Sequence, residues 1–97
     1  MILAALLATA LDVRPVLVVN AGDEAILSFR VGNASTSTWS DDVLGFDDVI
    51  EVSKGRVLRI PYDRTNCIGD VQATYRDGSV VVKRDLDLCT VERIDFR

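Results

Sequence analysis

The stretch VQATYRDGSVVVK, Val71–Lys83, decides the fold more clearly than any other part of this sequence. Two runs rich in β-branched and aromatic residues flank the pair Asp77-Gly78. An Asp-Gly pair between such runs predicts a β-hairpin with a type I′ turn. That turn would place Tyr75 opposite Val80 and continue the same register toward both ends of the hairpin.

The two cysteines of the chain lie just beyond this hairpin. The predicted register places Cys67 opposite residue 88, so one extra residue, a bulge near Gly69, would bring Cys67 and Cys89 together. A lone pair of cysteines in a small domain with a signal-like start predicts a disulfide. In the chain-entropy model, a loop of this length contributes about 3 kcal/mol.

The remainder of the chain repeats the period-two pattern of a half-buried strand, interrupted by turn residues. The segments 49–52 and 56–62 predict a second hairpin with Gly55 at a positive φ. Pro61 suggests an edge strand or a strand terminus. Further strands are predicted at 16–19, 25–31 and 91–96. We therefore predict an all-β fold, a small antiparallel β-sandwich or partly open barrel of six to seven short strands with one disulfide.

Composition narrows the classes of function. The chain has 97 residues, 48% of them hydrophobic, which is enough for one domain with a core. Fifteen acidic against eleven basic residues give a net charge of −4, which argues against nucleic-acid binding. The chain has no histidine, so Ser-His and Cys-His nucleophile pairs and imidazole zinc ligands are excluded. We expect a protein that is not an enzyme.

The start of the chain, Met1–Leu11, is uncharged and almost wholly apolar. It is too short to cross a bilayer, which needs about 20 apolar residues. It matches the apolar core of a secretory signal, and Ala8–Ala10 matches a cleavage site, although the basic start is missing. We therefore predict a signal-peptide remnant at 1–10, a single domain at 11–97 and a periplasmic or secreted location. The alternative is an N-terminal helix whose leucines pack on the domain.

The stretch TWSDDVLG, Thr38–Gly45, contains the single tryptophan of the chain. As a rigid connector, it would use Asp42 to cap a short turn while Trp39, Val43 and Leu44 cover one end of the core. As a binding element, it would present Trp39 and Leu44 to a partner, since tryptophan is enriched at binding hot spots.

Four carboxylates lie within the eight positions 41–48: Asp41, Asp42, Asp47 and Asp48. Calcium binds several carboxylate and carbonyl oxygens on a bendable loop, so these four are candidate metal ligands around Gly45. Their spacing does not match an EF-hand loop. Adjacent carboxylates in an extended loop point to opposite sides, which makes Asp41 and Asp42 a poor acid–base pair.

As a set, several motifs resemble a family of small secreted bacterial β-proteins. The shared features are a turn with Asn and Gly, a Trp-x-x-Asp-x-Leu-Gly element and a Cys…Asp-Gly…Asp-x-Cys hairpin. The resemblance covers 16–96 and departs from the family at Ser40 and Gly69. It implies export and a disulfide, and no activity is established for the family. The matching residues are Asn20, Gly22, Trp39, Asp42, Leu44, Gly45, Gly55, Cys67, Asp77, Gly78, Asp87 and Cys89.

From these observations we expect an exported, non-enzymatic β-sandwich that binds a protein partner in the cell envelope, as an accessory subunit or an inhibitor. It would use an exposed strand edge or the Trp39 loop, with no membrane span and no cofactor. The oligomeric state is left open. The alternative is a calcium-binding module that uses the Asp41–Asp48 loop. A small carboxylate hydrolase is a third class, but it needs a cleft that such a small domain seldom builds.

Overall fold

The structure, a computed structural model, describes residues 12–33, 38–45 and 48–97, and every regular element within these ranges is a β-strand. The predicted all-β fold is confirmed, while the predicted signal remnant at 1–10 lies outside the described residues. The strands form a three-stranded sheet of order β4-β1-β7 and a four-stranded sheet of order β3-β2-β5-β6. Their bounds are β1 Asp12–Asn20, β2 Ile26–Asn33, β3 Thr38–Trp39, β4 Gly55–Tyr62, β5 Ile68–Tyr75, β6 Val80–Asp87 and β7 Arg93–Phe96.

β1 is the central strand of the three-stranded sheet, with β4 on one side and β7 on the other. Its Val16 and Val18 side chains are buried in the core. β4 is antiparallel to β1, and Pro61 lies in this edge strand, as predicted. β7 runs parallel to β1, pairing Leu17 with Arg93. The sequence pattern did not anticipate this parallel pair, since a four-residue strand carries no sign of its direction.

The β5–β6 hairpin forms where the sequence predicted it, but the type I′ turn is wrong. The Tyr75 N–H donates to the Ser79 carbonyl at 2.9 Å and the Gly78 N–H donates to the Tyr75 carbonyl at 2.9 Å, which leaves a three-residue loop. Gly78 has a positive φ of 91°, whereas Asp77 does not. Asp77 Oδ1 instead accepts hydrogen bonds from the N–H and hydroxyl of Ser79, an arrangement typical of a type I turn followed by glycine. The register therefore differs by one residue from the predicted one.

A β-bulge lies next to Gly69 in this hairpin, as predicted, but the extra residue is in β6. The register shifts between Gly69 and Val71, so that Arg84 and Asp85 together face Asp70. Asp85 has a φ of 60°. Such a bulge increases the local twist and redirects the strand end.

The predicted disulfide joins the open end of the hairpin. Cys67 and Cys89 are bonded, with their Cα atoms 5.3 Å apart. The Leu88 N–H donates to the Cys67 carbonyl at 2.8 Å, which continues the strand pairing up to the disulfide. From the other sheet, Arg14 donates a side-chain hydrogen bond to the Val91 carbonyl. The disulfide end of the molecule is thus tied to both sheets.

The predicted hairpin of 49–52 with 56–62 is wrong. Ile50 makes a single bridge to Ile26, and β4 pairs with β1. The positive φ falls on Ser53, at 67°, and not on Gly55. Asn20 explains this path: its buried amide donates to the Ile50 carbonyl at 2.9 Å, and its backbone carbonyl accepts from the Ser53 N–H at 2.9 Å. The segment therefore turns around a buried asparagine that local pattern could not reveal.

The core lies between the two sheets. Phe29 of the four-stranded sheet meets Phe96 of the three-stranded sheet edge to face, with ring centroids 5.6 Å apart, a favoured aromatic geometry. The ammonium of Lys83 lies 5.8 Å from the centroid of the Phe96 ring. The other buried members of the core are Val16, Val18, Ile26, Val31, Leu44, Ile50, Leu58, Ile60, Val71, Ala73, Tyr75, Leu88 and Ile94.

Candidate functional site

Trp39 lies on β3, the two-residue edge strand that pairs with the end of β2. Its indole lies directly over the backbone of Gly32: a Cβ atom at Gly32 would come within 2.8 Å of Trp39 Cε3. The glycine therefore permits a close approach that any side chain would block. Trp39 is seated against the sheet and still 37% exposed.

Trp39 forms one wall of an open cleft of about 260 Å³ between the two sheets, which we call the Trp39 cleft. Pro61 and Tyr62, at the end of β4, form the opposite wall, and Ile68, at the start of β5, is 44% exposed at the rim. The lining is mainly apolar. It comprises Val31, Gly32, Thr38, Trp39, Ser40, Pro61, Tyr62, Asp63, Asn66, Ile68, Gly69 and Leu88.

Two polar side chains of the cleft are committed to the protein itself. Ser40 Oγ accepts a hydrogen bond from the Val31 N–H at 3.0 Å and donates one to the Asp41 carbonyl at 2.8 Å. Asp63 Oδ1 accepts from both the hydroxyl and the N–H of Thr65, at 2.6 and 2.9 Å. These hydrogen bonds lower the pKa of Asp63, so its carboxyl is ionised at neutral pH.

The disulfide supports the back of the cleft. Asn66 and Ile68, which line it, lie on either side of Cys67, and Leu88 lies next to Cys89. A Cβ atom at Gly69 would lie 2.8 Å from the backbone carbonyl oxygen of Gly32 as well as 2.6 Å from Leu88 Cδ1, so a larger residue would require the backbone to shift. The disulfide therefore fixes the lining residues at the start of β5 relative to Leu88, in the turn after β6.

Within the stretch Thr38–Gly45, Asp42 caps a short turn, as the connector interpretation predicts. Asp42 Oδ1 accepts hydrogen bonds from the Leu44 N–H and the Phe29 N–H, both at 2.9 Å, so it closes a short turn and ties it to β2. Leu44 is only 4% exposed and belongs to the core. Trp39 is therefore the exposed member of the predicted pair, and partner binding by either residue stays a prediction.

The candidate calcium ligands are used differently. Asp42 serves the turn, Asp41 is exposed, and Asp48 pairs with Arg56 at 3.3 Å. Asp47 lies outside the described residues. Within the described ranges, one set of three potential ligand groups converges, and it consists of the disulfide cysteines with Asp87. Calcium binding by the Asp41–Asp48 loop stays a prediction.

Sequence reasoning singled out Trp39 but missed the residues that make it part of a cleft. Tyr62 is half-buried in the cleft wall, a place that its position at the end of the predicted strand 56–62 does not indicate. The sequence did not indicate a binding role for Ile68, because an apolar residue after Cys67 is equally typical of the start of any strand. Gly32 gave no signal either, because its close contact with Trp39 arises only when β2 and β3 pair.

A second, smaller cleft of about 180 Å³ lies at the other end of the β5–β6 hairpin. Its lining carries charges of both signs, with Asp23, Glu24 and Asp77 beside Arg97. Tyr75 also contributes to it, but the hydroxyl of that residue is buried and has no hydrogen-bond partner among the described residues. Because this cleft is smaller and its lining carries charges of both signs, we take the Trp39 cleft as the candidate binding site.

The fold and the cleft together define a small, disulfide-bonded β-sandwich with an exposed cleft lined by Trp39 and Tyr62. Comparison with known proteins finds no matching family model, no similar curated protein and no similar solved structure. No helix long and apolar enough to cross a membrane occurs in the part of the chain that the structure describes.

Proposed function

We propose that this protein is an exported, non-enzymatic module that binds a protein partner of the cell envelope at the Trp39 cleft. The observation that carries the proposal is the seating of Trp39: an indole fixed on Gly32 and still exposed beside an apolar cleft. Rigid, amphipathic aromatic residues give large contact areas at a low entropic cost, which is why they dominate binding hot spots.

The size of the cleft favours a protein segment as its occupant. Pockets for small molecules typically enclose roughly 300–1,000 Å³ and bury most of the ligand. The Trp39 cleft, at about 260 Å³ and open to solvent, suits one or two side chains of a larger partner. Trp39 and Ile68 at its rim would be buried by such a partner without any change in the core.

The proposed export rests on the apolar start of the chain and on the disulfide. A disulfide is compatible with an oxidising, extracytoplasmic location. The test is the intact mass of the untagged protein from the extracytoplasmic fraction of its host. We expect a chain that begins at Leu11 and is lighter by two hydrogens than the reduced form. A full-length, reduced chain recovered only from the cytosol would overturn the proposed location.

The binding role is tested with Trp39→Ala and the matched control Val57→Ala, which removes an apolar side chain that is 61% exposed and far along β4 from the cleft. We expect an envelope partner to be cross-linked by the wild type and by Val57→Ala but not by Trp39→Ala, with circular dichroism showing that both variants are folded. Retained cross-linking by Trp39→Ala contradicts the proposal. A large fall in its melting temperature would instead assign Trp39 to the core.

A further inference from the structure

The Trp39 cleft carries negative charge. Among the described residues that line it, Asp63 carries the only charged side chain. The nearest arginine in sequence, Arg64, points its guanidinium at Asp12 and makes two hydrogen bonds with that carboxylate, at 2.6 and 2.8 Å. Arg30 donates to the Ser40 carbonyl from outside the lining. None of the ion pairs within the described ranges includes Asp63.

Several polar groups of the cleft are already engaged in hydrogen bonds within the protein. Ser40 bonds Val31 and Asp41, and one oxygen of Asp63 bonds Thr65. A sugar or another hydroxyl-rich ligand needs several convergent free donors and acceptors, because its hydroxyl groups lose water on binding. An apolar side chain needs none, so the lining favours an apolar anchor.

From the apolar lining and its single ionised rim group, we infer that the occupant is a segment of a partner protein that presents an apolar side chain next to a lysine or arginine. This inference rests on the proposed function and specifies the partner's chemistry. The apolar side chain would fill the space between Trp39 and Tyr62, and the cation would lie against Asp63. An arginine could in addition stack on the exposed indole, a favourable cation–π arrangement.

The test is a library of random twelve-residue peptides displayed on phage and selected on the oxidised wild-type protein. Selected peptides are synthesised, and their affinities are measured from the fluorescence of Trp39, the single tryptophan of the chain. Asp63→Asn is the matched variant for charge, since its side-chain oxygen can still accept the bonds from Thr65. Trp39→Ala and Ile68→Ser are two independent cleft variants. Because Trp39→Ala lacks the fluorescent residue, peptide binding to both variants is followed by NMR line broadening of the peptide.

We expect the selected peptides to combine an apolar residue with an adjacent lysine or arginine. Asp63→Asn should weaken them about two- to fivefold, the range of an exposed ion pair, and added salt should reduce this difference. Trp39→Ala and Ile68→Ser should abolish binding. If either variant fails to fold, the other still decides the point.

Two other results separate this inference from the proposed function. Peptides that need the cleft but carry no basic residue, or that bind Asp63→Asn as tightly as wild type, overturn the inferred cation and leave the protein-binding role intact. Peptides that bind both cleft variants unchanged, or a selection that enriches no peptide, overturn the inference and the use of the cleft for a protein segment together.

Discussion

Asp70 shows how one buried carboxylate holds an irregularity of the sheet in place. It is almost fully buried opposite the β6 bulge, where Oδ1 accepts from the Asp85 N–H at 3.0 Å and Oδ2 pairs with Arg84 at 2.9 Å. The carboxylate thus replaces a backbone partner that the extra residue removes from the ladder.

We expect Asp70→Ala to lower the free energy of unfolding by about 1–3 kcal/mol, because the Asp85 N–H loses its partner. Arg84→Ala should cost less than about 1 kcal/mol, since the arginine side chain is 65% exposed. Urea denaturation of the two variants measures the difference. Equal losses in both would show that the ion pair, and not the backbone hydrogen bond, holds the bulge.

Tyr75 presents the opposite case, a buried hydroxyl without a hydrogen-bond partner among the described residues. Its burial raises the pKa of the phenol above the ordinary value of 10.0, because the charged form is poorly solvated. The folded state therefore favours neutral Tyr75. Its contribution to stability is fully present below pH 10 and is lost as the pH rises through the raised pKa.

We expect Tyr75→Phe to leave stability at neutral pH unchanged or to raise it by up to about 1 kcal/mol, because no hydrogen bond is lost. The variant should also lose less stability than wild type when the pH is raised above 10. Thermal melts at neutral and alkaline pH test both points. A clear destabilisation at neutral pH would show that the hydroxyl does find a partner, such as a bound water.

At the scale of the element, β3 depends on the close contact of two edge residues. Gly32 pairs with Trp39, and a Cβ atom at Gly32 would meet both the indole and the Thr38 carbonyl at under 3 Å. The exposure of the tryptophan is therefore a property of the strand pair. It does not follow from the tryptophan alone.

We expect Gly32→Ala to displace β3, to change the emission of Trp39 and to lower stability by roughly 1–3 kcal/mol. Gly55→Ala is the control, because its added Cβ atom would meet the flexible end of Leu17 at 3.1 Å. Fluorescence spectra and urea melts of both variants give the comparison. An unchanged emission spectrum in Gly32→Ala would mean that the indole is not held by this contact.

At the scale of the whole molecule, the disulfide joins the hairpin to the turn that leads into β7, at the end where the cleft opens. Its two cysteines are 22 positions apart in the sequence. A crosslink of this span restricts the unfolded chain and stabilises the fold by about 3 kcal/mol in the chain-entropy model. For a domain of this size, that is a large share of a typical net stability.

We expect the double variant Cys67→Ser, Cys89→Ser to lose about 3 kcal/mol in urea denaturation. Since the disulfide supports the walls of the cleft, quenching of Trp39 fluorescence by acrylamide should also increase. A reduced wild-type sample serves as the control for the substitutions themselves. A stability equal to that of the oxidised wild type would show that the native hydrogen bonds suffice at this end.

Much of the fold could be predicted because its signals are local. Local sequence pattern predicted strands that overlap every described strand except β3, and the Asp77-Gly78 pair located the turn between β5 and β6. The disulfide followed from two cysteines at the end of one hairpin. The exact register did not follow, since it depends on how the Asp77 side chain bonds within the turn.

The sequence by itself determined that the chain forms short strands with a disulfide between Cys67 and Cys89, because turn residues, alternation and cysteine count act over a few neighbouring positions. Only the tertiary structure decided that β7 runs parallel to β1, that Leu44 is buried and that Trp39, Tyr62 and Ile68 form one cleft. Those outcomes depend on contacts between segments far apart in the chain. Such contacts are set by the packing of two sheets, which no single segment encodes.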